Sequence, residues 1–401
     1  MKKILYSLLL FSSITIYAQE KTENAFEAKY RRSSLYSVMI DQPELPYAGE
    51  IKKNFENSPI PDKFNDHNLT KRVYEYGELP TDGTDSPILN EIAKEIVAKW
   101  FNRSPKGGFN MELIKERGYY DASAIDIAKA EASKRGLDLL ADAGEDLIGK
   151  TFVLINEFKY TDKEEVAKKA NGWLSAIGSI GDAAGISNAS TLTTVASAGT
   201  TVAGKGYIVK TNAHLYQLVW DEETAAIFYN EYWADDKTIT PEKKKAFDES
   251  TIFKLKYVGT DTSWSDVQSS VFTNKSEEQL IERASVKSVD KVIVKLQKNH
   301  DQFKTKTPLL SAEPLTAKIG LKEGVTNKST FDVLEQVEDE NGKTEYVKVG
   351  VVKIDSKYPI WDNTYGAAEE NPNSSVDRTY FKKVSGKEFF PGMLLVQRKG
   401  K

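Results

Sequence analysis

The stretch that most limits what this chain can become runs from Leu137 to Trp233. It opens with "LDLLADAGEDLIGKTFVLINEFKY", a helix feeding a strand, and closes with "GYIVKTNAHLYQLVWDEETAAIFYNEYW". The closing part reads as two strands joined by the acidic turn Asp221-Glu222-Glu223. Between them, Ala183 to Gly204 carries no charged side chain, in a protein where 28% of residues are charged. Ala, Ser, Thr and Gly bury little apolar area at ~25 cal/mol per Å2, so this run cannot form a core alone. It is therefore expected to be an insertion, residues 172–206, in an αβ unit. It reads as a loop or a closely packed helical hairpin. The sharper reading is an oligomer-contact or outer-membrane element, with Gly178, Gly181, Gly185, Gly199 and Gly204 as the candidate contact segment.

Residues 1–18 have the three parts of a secretory signal: basic Lys2 and Lys3, an apolar run from Ile4 to Ile16, and a small residue, Ala18, at the cut. The apolar run is shorter than the ~20 residues that span a bilayer. Export is expected, to the periplasm, the outer membrane or the medium. Removing the signal leaves 53 basic against 59 acidic residues. That balance argues against a nucleic-acid partner, which needs a basic face. The chain has no cysteine, which excludes disulfides, thiolate metal sites and lipidation on cysteine.

A polar leader, 19–32, precedes a strand at Ser33 to Ile40. Prolines 43, 46, 59, 61 and 80 predict an irregular segment up to Pro87. A helix then starts at Ser86-Pro87 and runs to about Asn102, with Ile88, Ile92, Ile96, Val97 and Trp100 on its apolar face. "FNMELI" (Phe109 to Ile114) reads as a short strand, 122–147 as a helix and Thr151 to Tyr160 as a strand. Thr251 to Gly259 predicts another strand. The capping box Ser276 to Gln279 opens a helix to about Phe303 whose charged residues read as a solvated face. Residues 304–314 read as a linker. Beyond it the periodicity changes to two, predicting strands in "AKIGLKEGV", "STFDVLEQV", "EYVKVGVVKI" and "GMLLVQRK" and a small β-barrel domain over 315–401.

The chemical motifs are sparse. Gly199 to Lys205 has phosphate-loop spacing, but Gly206 stands where Ser or Thr is required. Ser288 and Lys291 match Ser-x-x-Lys without companion motifs. His67 reads as a loop histidine and His214 as a satisfied mid-strand histidine with no carboxylate paired locally. Neither a cofactor nor a metal is called for. Tyr216, Trp220, Tyr232 and Trp233 form the candidate ligand surface, with sheet core as the plainer reading.

The order strand, helix, strand, helix, strand, insertion, strand pair over 33–233 is similar to the αβ domain of the curli-secretion channel family. There, an insertion between corresponding strands supplies the membrane hairpin. The pattern "AKIGLKEGV…FDVLEQV…VGVVKI" resembles the small β-barrel of flagellar outer-membrane ring proteins. The curli channel relatives are lipoproteins, and this chain lacks the cysteine for that. The expectation is an α+β protein: an αβ domain over 33–303 with a mixed or antiparallel sheet, then the barrel. Its role is expected to be non-catalytic, structural or assembly-related, in the cell envelope. Homo-oligomerisation, other envelope proteins and peripheral membrane contact are the expected partners. The alternatives are a secreted carboxylate-dependent hydrolase and a carbohydrate- or ligand-binding module.

Overall fold

Strand β1 (Ser34–Asp41) is buried on both faces and pairs in parallel with β2 (Arg72–Glu75) and β3 (Thr151–Asp162). A computed structural model describes residues 32–65, 71–120, 141, 144–162, 206–268, 275–338 and 344–399. Strands β4 (Gly206–Leu218) and β5 (Leu255–Gln268) add on antiparallel, giving the mixed sheet β2-β1-β3-β4-β5.

Helices cover the sheet on two sides. On one side, α2 (Pro87–Trp100) packs Leu89, Ile92, Ile96 and Trp100 against Tyr36, Val38, Val153, Ile155 and Tyr216. On the other, α6 (Glu277–Asn299) packs Ile281, Ala284, Val292 and Leu296 against the opposite faces of the same strands. Its capping box closes as the sequence predicts: Gln279 N donates to the Ser276 hydroxyl, and Ser276 N to the Gln279 side chain. The helix runs unbroken to Asn299, followed by a 3-10 turn at Asp301–Phe303.

Several expectations are corrected. The segment before Pro87 contains α1 (Ala48–Asn57) as well as β2, because the prolines flank the helix and Ala48, Ile51 and Phe55 form one buried stripe. "FNMELI" is a turn leading into α3 (Glu112–Tyr120), where the Asn110 side chain accepts from Glu112 N at 3.0 Å. The helix expected over 122–147 lies mostly outside the described residues. "AAIFYNEYW" is helical: α4 (Glu222–Ile227) continues into a π turn at Phe228–Tyr232. Asp221 caps this helix by accepting from Thr224 N at 2.9 Å, so the acidic triplet is a helix start. After α5 (Pro241–Asp248), β5 begins later than expected and runs nine residues past Gly259.

The presumed linker supplies the first barrel strand, β6 (Thr307–Ala312). Pro308 is tolerated there because Leu309 N makes the bond to Met393 O, at 2.8 Å. Then come β7 (Leu315–Ala317), a 3-10 turn at Leu321–Glu323 in place of a longer strand, β8 (Thr330–Glu338) and β9 (Thr344–Ile354). The short helix α7 (Ala367–Glu370) precedes β10 (Thr379–Gly386) and β11 (Leu394–Gln397). The barrel closes in the order β10-β7-β6-β11-β8-β9, all antiparallel, around Leu309, Phe331, Val333, Val352, Phe381 and Leu395. Strand β10 escaped notice because a bulge between Lys383 and Ser385 interrupts its alternation. The chain is thus α+β: an αβ unit with a mixed sheet, followed by a small closed barrel.

Helix α6 joins the two. Arg283 is buried and ion-paired with Glu369, at 2.7 Å, and with Glu370, both in α7; it also donates to Gly366 O. Asp62 pairs with Lys322 at 2.7 Å, and Lys63 donates to Lys318 O.

Candidate functional site

The sheet is lopsided in a way that marks one end. Pairing of β1 with β3 stops at Ile40 and Glu157, whereas β3 continues to Asp162, opposite Tyr207, and β5 continues to Gln268, opposite Gly206. β3 therefore runs on with β4 and β5 for five residues beyond its pairing with β1, about 17 Å at ~3.3 Å per residue. One side of the overhang is covered: Phe158, Tyr160 and Val209 pack with α1 and α6. On the other, Lys159 is exposed and Ile208, Lys210 and Trp264 are half-buried, with the Lys210 ammonium 5.3 Å from the Trp264 ring centre. Segment 163–205 leaves β3 and enters β4 at this tip, and 269–274 leaves β5 there.

The outer edge of β5 is covered by α6. Lys291 donates to Trp264 O at 3.1 Å and Lys295 to Thr262 O at 2.7 Å, while Asn299 Nδ2 donates to Asp261 Oδ2 at 2.6 Å. Lysines over an edge strand block its pairing with another chain. The charges read as a solvated face thus have structural partners.

At the root of the overhang lies a polar chain that runs from the buried His214 out to the surface. His214 Nε2 is 3.0 Å from Glu157 Oε2, and Nδ1 is 2.7 Å from Thr260 Oγ1, which is 2.8 Å from the Tyr257 hydroxyl. With Glu157 ionised, Nε2 carries the proton and Nδ1 accepts from Thr260. The hydrogen bond from His214 holds the Glu157 carboxyl below its usual range, against the opposing effect of burial. His214 is therefore satisfied, but by a carboxylate two residues along from its cross-strand partner Ile155, which corrects the reading that none is paired locally. A glutamate inside the apolar strand "TFVLINEFKY" was the available signal.

A second cluster gathers where α6, the loop after α1 and the barrel meet. Burial pushes Asp290 up to about 7, with Asp62 and Glu323 adding to the rise and Lys322 opposing it. Burial also raises Asp62, but its hydrogen bond to Lys322 brings the net position below the ordinary range. The sequence hint was Asp290 lying between Val286, Val289 and Ile293 on one helix.

The other candidates disperse. Ser288 is fully buried against Thr211, while Lys291 points to the β5 edge, so Ser-x-x-Lys forms no unit. Tyr216 is buried, its hydroxyl donating to Pro80 O at 3.2 Å. Trp220, Tyr232 and Trp233 are half-buried on the α2-side core, where Phe228 stacks with Phe101 at 4.3 Å. Trp220 and Trp233 stand 5.6 and 6.1 Å from the Phe228 ring, and Tyr232 is 5.9 Å from Phe247. Gly178, Gly181, Gly185, Gly199, Gly204 and His67 lie outside the described residues. Among the described residues no helix is long and apolar enough to cross a membrane, and no group of three potential ligands could hold a metal. No protein-family model matches the chain, and neither does any curated protein.

Proposed function

We propose that this is an exported, non-catalytic protein of the cell envelope that acts as a structural or assembly component through the overhanging end of its sheet. The observation that supports this reading is the paired exit of segment 163–205. Asp162 and Tyr207 face each other at the tip of an antiparallel ladder, so the segment begins and ends at neighbouring strand positions. Within it, Ala183 to Gly204 has no charge to hinder close approach to a partner surface. An insertion between two neighbouring sheet strands is the part of the element order similar to the curli-secretion channel family that remains after the strands expected at 109–114 and 225–233 are replaced by turn and helix, and the signal pattern in residues 1–18 agrees with export. Homo-oligomers or other envelope proteins are the partners, with peripheral membrane contact.

The test compares the full chain with a version in which a short Gly/Ser connection replaces 163–205. Light scattering and membrane flotation should show larger assemblies or membrane association only for the full chain, with the same far-UV circular dichroism per described element. Identical mass and identical partitioning for the two proteins would overturn the assembly role.

A further inference from the structure

A groove runs along the seam between the last two turns of α6 and the barrel, away from the sheet end. Its floor is apolar, formed by Val294, Ile319 and Leu395, and Lys298, Lys304, Arg398 and Lys399 stand around it. It is shallow, with a cavity volume of about 30 Å3, and is otherwise open to solvent. One carboxylate, Glu323, lies in the lining. That carboxylate is 8% exposed and already engaged by the barrel's own donors: Gly320 N at 2.7 Å, and Asn363 Nδ2 at 2.9 and 3.1 Å.

The cations around the groove are short of partners. Lys304 and Lys399 share the single carboxylate of Asp301, at 2.7 and 3.6 Å. That group is mostly exposed, and its pKa is held below the usual range by the hydrogen bond from Lys304 and the charges of both lysines. Arg398 reaches Asp332 at 3.5 Å, but Asp332 is also bound by Lys348, at 2.7 Å. Among the described residues Lys298 has no ion pair. A positive excess is thus concentrated on one seam of a chain whose net charge is −4. One guanidinium and three ammonium groups line this groove, a set that matches a compact, multiply charged oxyanion, for which Arg provides paired donors and Lys point charges. Gln297, Thr305 and Gln397 also line the groove, with Gln297 donating to Thr305 and Gln397 to Ser329, each at 3.3 Å.

We propose that this groove binds a phosphate-type oxyanion, free or carried as a phosphoryl group on a larger molecule. Because α6 forms one wall and the barrel the other, the bound anion holds the two together. The site is independent of the assembly reading, and either stands if the other fails.

The test titrates inorganic phosphate and pyrophosphate into the full chain, with chloride replacing them at constant ionic strength. Calorimetric binding should saturate, and the melting temperature should rise with it, since a ligand that binds only the folded state stabilises that state. Arg398→Gln should weaken binding at least tenfold. Lys298→Glu, a change at an exposed side chain, should do the same with an unaltered melting temperature in the absence of phosphate. Vesicles of phosphatidylglycerol and of phosphatidylcholine separate the sources: retention on the first alone, competed by pyrophosphate, assigns a lipid phosphoryl group, and no retention assigns a soluble one. A response that never saturates beyond the chloride control, or one that survives both substitutions, would overturn the proposal.

Discussion

Replacing Asp290 with Asn should make the protein more stable at pH 8 and give a smaller gain at pH 5. Asp290 is half-buried on α6 beside an apolar cleft that includes Phe55, Phe158, Pro61, Val286 and Val289. Among the described residues no hydrogen bond reaches its carboxyl. Burial raises its pKa from the ordinary 3.8 to about 7. A raised carboxyl pKa means that the folded state binds the proton more tightly than the unfolded one. Between about pH 4 and pH 7 the folded protein holds the extra proton, so stability declines as pH rises through that window. Above it the full penalty of a charged, poorly solvated carboxylate remains. At ~1.4 kcal/mol per unit, three units set a ceiling of about 4 kcal/mol. Partial solvent access and an effective dielectric near ~20 bring the expected effect to about 1–2 kcal/mol.

Asn has the same shape and cannot ionise. The assay is guanidinium unfolding of the full chain and of Asp290→Asn at pH 5.0, 6.5 and 8.0, with the two midpoints compared at each pH. The gap should be smallest at pH 5.0, where only part of the window has been crossed, and reach its full size at pH 8.0. A variant less stable than the parent at pH 8.0, or a gap independent of pH, would refute the reasoning. The first result would mean that attraction to Lys322 outweighs burial, and the second that the carboxyl does not titrate in this window.

Two further outcomes follow from named contacts. Arg283→Met keeps the apolar stem but removes the pairs with Glu369 and Glu370; because both acids are more than half exposed, the expected loss is about 1–3 kcal/mol, and limited proteolysis should cut residues 358–378 faster. Glu157→Gln weakens the bond to His214 and removes a carboxyl whose pKa is depressed in the folded state. The parent's advantage over this variant should be present above pH 4.5 and fade as pH falls below it, by about 1–2 kcal/mol in urea unfolding.

The sequence was most legible where one periodicity covered a whole element. β1, α2, β3, β4 and α6 each carry a repeat of two or of three to four that matches the face they bury, and their limits fall within a few residues of expectation. Helix α4 was misread because "AAIFYNEYW" has the aromatic content of a strand, yet Phe228 is needed at the centre of a cluster with Phe101, Phe109 and Trp220. Tertiary packing overrode a local preference that is itself mostly a packing effect. β2, with four residues, and β6, with Pro308, are too short or too interrupted to show a period. The polar clusters were harder still. Glu157 meets His214 only through the β3–β4 register, and Asp290 acquires its surroundings from the loop after α1 and from the barrel. No local pattern carries either contact.

Helix α6 shows why charged residues in this chain cannot be counted as surface. Its side chains separate into three stripes. Ala284, Ser288, Val292 and Leu296, spaced by four, enter the sheet core, where small residues let Thr211 and Ser263 approach the helix. Lys291, Lys295 and Asn299, again spaced by four, lie along the β5 edge and close it to other strands. Arg283, Asp290, Val294 and Lys298 face the barrel side, holding α7, the Lys322 cluster and the groove in turn. A helix with partners on three sides resists local fraying, because opening any turn exposes surface in more than one core. Sheet and barrel therefore share one structural element, and a substitution at a buried position of α6 should be felt in both.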